Sequence, residues 1–379
     1  MIDMNFDRAS GKKRITKIAI TGGPCGGKST AMSWIQNNYT KQGYKVLFVP
    51  ETATELITAG VRTNCGTSLL QEAMIDLQLE KERVFELVAD KAKGDKLLIV
   101  CDRGVVDCRA YMPEQEYLDV LARSGHNEVE VRDNYDAVFH LVTAAKGAKE
   151  FYTCANNTAR SETPEQAAEQ DDKLIAAWTG HPHFYVIGNE GDFRDKMLRL
   201  MHAIDRALGD TDTFVADRKQ LIEYPDIAWL ESLPNCHRVE IEQTYLVASG
   251  GAELRVRKRG ENGSYTYYET EKLRLSGGKR TETEHRLTRG DYERQLLFAD
   301  PNKRTIKKTR YCLSYNDRYY EIDVFPFWND RAIVETELGA EDEPIDLPEK
   351  LRLICDVTDD PRYFNSSLAE PGGCDIPLV

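Results

Sequence analysis

Between Gly22 and Ser29 the chain reads Gly-Gly-Pro-Cys-Gly-Gly-Lys-Ser, the G-x-x-x-x-G-K-S spacing of a loop that can hold phosphate. Such a loop turns successive backbone N–H groups toward an anion, and the helix that follows adds partial positive charge. Gly22, Gly23, Pro24, Cys25, Gly26, Gly27, Lys28, Ser29 and Thr30 are therefore expected to bind a nucleotide. Lys28 would reach the β- and γ-phosphates, and the Ser29 hydroxyl would hold Mg²⁺. ATP and GTP both remain open, and no Asn-Lys-x-Asp string is present to read a guanine. Cys25 needs only to be small, so it receives no redox role. Asp102 follows the apolar run Leu97–Cys101 and has the placement of a carboxylate that holds Mg²⁺, directly or through water; the alternative is a turn or cap residue.

These residues need a frame. Ile18-Ala19-Ile20 reads as a buried strand before the loop, and a helix is expected from Lys28 to about Tyr39. Further apolar runs at Lys45–Pro50, Lys96–Cys101, Asp136–Thr143 and Phe184–Gly188 alternate with helical patterns at 69–90 and 192–208. The alternation predicts an α/β domain over 14–208, a parallel sheet with helices on both faces. Glu51 then stands just past a strand's C-terminal end, the edge where such sheets bind ligands. The polar stretch 146–180 is expected to form a lid. Within it, Arg160 either stabilises a transferring phosphoryl group or is a solvated surface arginine. His181 and His183 have no third ligand nearby and read as turn residues.

At 379 residues the chain exceeds one ordinary core, so two domains are expected. A net charge of −13 argues against nucleic acid as a partner, while leaving room for a local basic pocket. Nine cysteines without a C-x-x-C pair fit a reducing compartment. With no long apolar span, the expectation is a cytoplasmic protein with a loose tail over 1–13. The oligomeric state is left open.

From 209 onward, short alternating segments separated by Gly, Asn and Asp turns predict antiparallel strands. They fall at about 213–222, 238–248, 252–259, 265–275, 281–288, 305–314, 319–326 and 331–338, enough to close a β-barrel in an α+β domain over 209–379. Charges recur at period two: Arg255 with Arg257, Lys272 with Arg274, Glu282 with Glu284, Lys308 with Arg310, and Glu335 with Glu337. Facing outward, these pairs would be a wet surface; facing inward, they would bind a polyphosphate with its divalent cations.

The strings GGPCGGKST, VPET, CDRGVVDCRAY and NNTARSETPEQAAEQDDKLIAAWTGHPHFYVI resemble P-loop kinase-type domains, AAA-type ATP-binding modules related to nicotinamide riboside kinases. By analogy with the similar deoxynucleoside kinases, the resemblance implies that Glu51 is the catalytic base and that Arg103 binds phosphate. Here Asp-Arg-Gly replaces an acidic-Arg-Ser element, which leaves the acceptor open. The strings IEQTYL, LRVRKRG, EKLRL, RTETEHRLT, KKTRY, YEIDVF and IVETELG resemble the CYTH domain, or triphosphate tunnel metalloenzyme family. That resemblance implies phosphate contacts from Lys219, Arg255, Arg257, Lys272, Lys308 and Arg310. It also implies Mg²⁺ or Mn²⁺ held by Asp217, Glu282, Glu284, Asp323, Glu335 and Glu337, with Val215 where the family has its first metal-binding Glu. The domain order is similar to that of the TRPL translocation defect proteins. Three functions follow as expectations: a kinase of a small hydroxyl-bearing molecule, using Lys28, Glu51, Arg103 and Arg160; a nucleotide switch that captures a phosphorylated ligand such as a phosphoinositide; or a triphosphatase.

Overall fold

The computed structural model describes residues 14–148, 163–209, 216–248, 252–274, 280–338 and 344–377. The expected tail 1–13, Arg160 and Val215 lie outside them. The first domain is built in chain order from β1 (Arg14–Thr21), α1 (Lys28–Lys41), β2 (Lys45–Val49), α2 (Thr52–Thr58), α3 (Val61–Cys65), α4 (Thr67–Lys91) and β3 (Lys96–Asp102). A 3₁₀ turn at Val105–Tyr111 leads into α5 (Glu114–Arg123), α6 (Glu128–Arg132), β4 (Ala137–Leu141), α7 (Pro164–Trp178), β5 (Phe184–Ile187) and α8 (Phe193–Ala207). The sheet is parallel, in the order β2-β3-β1-β4-β5.

β3 is apolar on both faces because helices cover both. Leu97, Ile99 and Cys101 pack with Val105, Tyr117 and Trp178, whereas Leu98 and Val100 pack with Ile18, Ile35, Met197 and Ile204. The central position of β1, between β3 and β4, brings its C-terminal turn to the middle of the ligand edge.

The second domain holds β6 (Ala216–Glu223), α9 (Ile227–Ser232), β7 (Cys236–Leu246), β8 (Glu253–Glu261), β9 (Ser264–Arg274), β10 (Arg280–Leu287) and α10 (Arg289–Gln295). It continues with β11 (Ile306–Tyr315), β12 (Arg318–Val324), β13 (Arg331–Leu338), β14 (Leu353–Asp356) and α11 (Asn365–Leu368). The expected eight strands are present, with β14 in addition. The expected closed barrel is not: the antiparallel sheet runs β10-β9-β8-β7-β11-β12-β13-β6-β14 and stays open, its edge strands β10 and β14 unpaired with each other among the described residues. The first domain holds the β10 side of this sheet, since Arg286 Nη1 donates to the Asp133 carbonyl at 3.2 Å and to Asn134 Oδ1 at 3.3 Å.

Charged and polar groups fasten the two domains. Asp133 is fully buried; Arg132 Nε donates to its Oδ1 at 2.9 Å, and Arg259 Nη1 and Thr266 Oγ1 donate to its Oδ2 at 3.0 and 2.8 Å. Thr179 Oγ1 and Ser314 Oγ lie 2.8 Å apart. The Tyr319 hydroxyl accepts from Gly180 N at 3.2 Å and donates to the His181 carbonyl at 3.0 Å.

Candidate functional site

The phosphate loop leaves β1 through Gly22, whose φ of +138° and closeness to β4 exclude a side chain: an added Cβ would lie 2.2 Å from the Leu141 carbonyl oxygen. Lys28, half-buried at the start of α1, donates from Nζ to the carbonyls of Gly22 at 2.8 Å and Gly23 at 3.1 Å. Burial, reinforced by the Arg103 charge, lowers its pKa to about 7 despite the nearby carboxylates of Asp102, Glu51 and Asp107. Ser29 and Thr30 stand exposed at the same helix end.

The ends of β2 and β3 bring the other expected residues together. Arg103, in the left-handed region at φ 72°, donates from Nε to Glu51 Oε1 at 2.8 Å and from Nη1 to Asp107 Oδ2 at 2.9 Å. Thr54 Oγ1 donates to Glu51 Oε2 at 2.6 Å. Burial works against the Glu51 carboxylate, but the Arg103 charge and the Thr54 hydrogen bond outweigh it and hold the pKa below the ordinary range. Asp102 moves the other way: burial and the neighbouring Glu51 charge raise its pKa. Its buried Oδ1 has no hydrogen-bond partner. An orphaned carboxylate oxygen beside a phosphate loop fits a divalent cation or its water, so Asp102 and Ser29 could hold Mg²⁺ here.

Two residues of this site escaped the sequence reading. Asp107 accepts from Thr21 Oγ1 at 2.8 Å and Trp178 Nε1 at 2.6 Å, and so fixes the Arg103 guanidinium. Asp171, fully buried on α7, accepts from Gly23 N at 2.9 Å, Thr143 N at 3.1 Å and Lys146 Nζ at 3.0 Å, with His140 Nε2 at 3.0 Å. Burial opposes its charge, yet these partners hold its carboxyl far below the usual range. α7 is therefore a packed helix that braces the loop, with Leu174 and Trp178 in the core, across the part of the expected lid that lies at 164–178. Signals existed for both residues. Asp107 lies inside CDRGVVDCRAY, and Asp171 falls at helical spacing on the buried stripe of Ala167, Leu174 and Trp178.

A second site is a cavity of about 1900 Å³ lined by Lys219, Arg255, Arg257, Lys272, Lys308 and Arg310, together with Asp217, Glu335 and Glu337. Of the period-two pairs, Arg255 with Arg257, Lys308 with Arg310, and Glu335 with Glu337 line it with both members. The acidic residues differ from their expected metal role because most of them face cations of the chain. Asp323 is buried and receives Lys308 Nζ at 2.5 Å and Arg310 at 2.7 Å, which makes it a charge-pair partner rather than an available ligand. Glu335 pairs with Lys219 at 2.7 Å and Arg310 at 3.1 Å, Glu284 with Arg257 at 2.8 Å, and Glu337 with Arg206. For Glu282 the backbone alone is described, paired with Lys272. Among the described residues, no three His, Cys, Asp or Glu side chains converge as a metal-binding group. His181 is buried with Nε2 at 3.0 Å from the Tyr135 carbonyl, and His183 Nε2 lies 3.3 Å from Glu284.

Residues 17–196 match the sequence profile of a family described as an AAA domain. Among solved structures, an inorganic triphosphatase shares 27% identity, covering 41% of this chain and 94% of its own with a TM-score of 0.30. A deoxyadenosine kinase from M. mycoides with bound dATP shares 18% identity, covering 50% of this chain and 99% of its own with a TM-score of 0.33. No curated protein matches the chain. No described helix is long and apolar enough to cross a membrane.

Proposed function

We propose that the chain is a Mg²⁺-dependent phosphotransferase that moves the γ-phosphoryl group of ATP or GTP to a hydroxyl of a small molecule, and that its cavity holds a polyphosphorylated ligand. The observation that carries this reading is the meeting of Glu51, Asp102, Arg103 and Lys28 at the ligand edge of the parallel sheet. Glu51 is ionised, as a base must be, and takes the acceptor proton as the acceptor oxygen bonds to the γ-phosphorus and the bond to the β-phosphate oxygen breaks. Arg103, oriented by Asp107, and Lys28 hold charge that builds on the phosphoryl oxygens. Mg²⁺, when bound through Ser29 and Asp102, would neutralise further charge there. Arg160 stays in the proposal as a phosphoryl-stabilising residue. In the cavity, the pairing of Asp323 with Lys308 and Arg310 favours holding a ligand over hydrolysing it.

One observation favours the second reading, a nucleotide-switched protein of the kind the TRPL translocation defect resemblance implies, with a phosphoinositide headgroup in the cavity. α8 packs Phe193 and Met197 against Gly27 of the loop, while its Arg199 and Arg206 line the cavity. The deciding experiment incubates the protein with γ-labelled ATP or GTP and a metabolite extract, then repeats any transfer with Glu51→Gln. The phosphotransferase reading expects a labelled acceptor and a rate about 10² to 10⁴ lower in the variant. A nucleotide-binding protein that labels nothing would favour the switch, and full transfer by Glu51→Gln would remove Glu51 from the chemistry.

A further inference from the structure

The cavity's charged strands belong to the second domain, but one of its walls does not. His183, Tyr185 and Val186, at and beside β5, and Arg199, His202 and Arg206 on α8 line the same space. The spacing of 199, 202 and 206 places the three α8 residues on one stripe, opposite the stripe of Met197, Leu200, Met201 and Ile204 that is buried in the core. A polar stripe on an amphipathic helix ordinarily faces bulk water; this one faces an enclosure already lined with arginines, lysines and carboxylates. Arg206 pairs with Glu337 of β13, lies with its guanidinium carbon 5.9 Å from the Tyr185 ring centroid, and keeps a buried Nε with no hydrogen-bond acceptor. Glu337 is opposite Asp217 in the β13–β6 register, and both residues line the cavity.

We propose that the cavity is a binding site shared between the domains, in which Arg206 binds phosphate oxygens of the ligand. This rests on the reading of the cavity as a polyphosphate site and extends it to a residue of the nucleotide-binding domain. A polyphosphate arriving with a divalent cation supplies a replacement for each half of the resting pair. Its cation compensates Glu337 and Asp217, and its oxygens take the released guanidinium, whose planar donors suit two oxygens at once. The free Nε–H then gains an acceptor, which removes the cost of a buried donor left unsatisfied.

The test uses the full chain, with Lys28→Ala in every arm so that the phosphate loop does not compete, and measures the affinity for inorganic triphosphate with Mg²⁺ by calorimetry. Arg206→Ala should bind about tenfold more weakly or worse, the scale of one lost charged hydrogen bond. Glu337→Gln supplies a second background, since it abolishes the charge that Arg206 neutralises in the pair. Comparing Arg206→Ala within that background isolates the ligand contact. A loss of about tenfold that persists there supports the proposal. Equal affinity with and without Arg206 in the Glu337→Gln background would show that Arg206 only balances Glu337, and would overturn it. If the parent protein does not bind triphosphate at all, the reading of the cavity fails and this inference with it. That result differs visibly from a parent that binds while the Arg206 variants bind equally well.

Discussion

Lys28 donates to two carbonyls and pairs with no carboxylate among the described residues, and burial with the Arg103 charge leaves its pKa at about 7. A nucleoside triphosphate places several negative charges against the ammonium and should restore its usual affinity for the proton. Binding then takes up a proton wherever Lys28 has lost one. Below about pH 6 the affinity should be level; above about pH 7 it should fall by up to tenfold per pH unit, so that pH 9 is roughly 100-fold weaker than pH 6. The folding stability measured without nucleotide should move in the opposite direction. Unfolded Lys28 keeps its proton to about pH 10.4, so between pH 7 and that value the unfolded chain binds more protons, and rising pH favours the fold. Calorimetric titration with a Mg²⁺-complexed, non-hydrolysable triphosphate, in two buffers of different protonation enthalpy, reads the affinity and the proton uptake together. Subtracting the same profile for Lys28→Ala isolates this residue. Uptake near one proton at pH 8 is expected; equal affinity at pH 6 and pH 9 without uptake would refute the argument.

Two further perturbations test other parts of the fold. Asp102→Asn should leave nucleotide affinity measured without metal nearly unchanged, while raising the Mg²⁺ concentration needed for half-maximal transfer at least about tenfold; an unchanged Mg²⁺ requirement would assign Asp102 to the turn. Asp133→Asn leaves the Arg132 and Arg259 guanidiniums buried without their carboxylate and should cost about 3–5 kcal/mol in chemical denaturation. Burial works against the Asp133 charge, but Arg132 and Arg259 hold its folded pKa well below the usual carboxylate value. Its contribution is therefore present above about pH 4 and lost as pH falls toward the folded value, so the melting temperature of the variant should depend less on pH in acid than that of the parent.

The parallel sheet was legible because its strands are buried on both sides and read as continuous apolar runs, while the glycine spacing of the loop marked the first turn. Glu51 and Asp102 could be placed at the ligand edge by position, since each follows such a run, whereas Arg103 entered only through the resemblance to deoxynucleoside kinases. Asp171 was not, because it binds Gly23 from 148 residues away and sits in a helix that reads as polar surface. Period two revealed which second-domain charges share a face, but not which of them neutralise each other; Asp323 was taken for a ligand when two cations already hold it. β14 is four residues long with no alternation to mark it, and the open edge between it and β10 follows from register and from contacts with the first domain, which no local pattern encodes.

The joint at Asp133 also bears on how the chain is made. Arg259 comes 126 residues after Asp133, a delay of roughly 6 to 25 seconds at ordinary rates of synthesis. By then every strand of the parallel sheet has been synthesised, and the phosphate loop is flanked by both its neighbouring strands. The newborn domain waits through that interval with Asp133 satisfied by Arg132 but not by Arg259 or Thr266, and with the free edge of β5 not yet packed against β12. Asp133 is completed as β8 and β9 are made, but the β5 edge is covered only once β12 follows, so a stall before β12 would leave a nearly finished nucleotide site beside an exposed strand edge, the kind of surface that pairs with other chains.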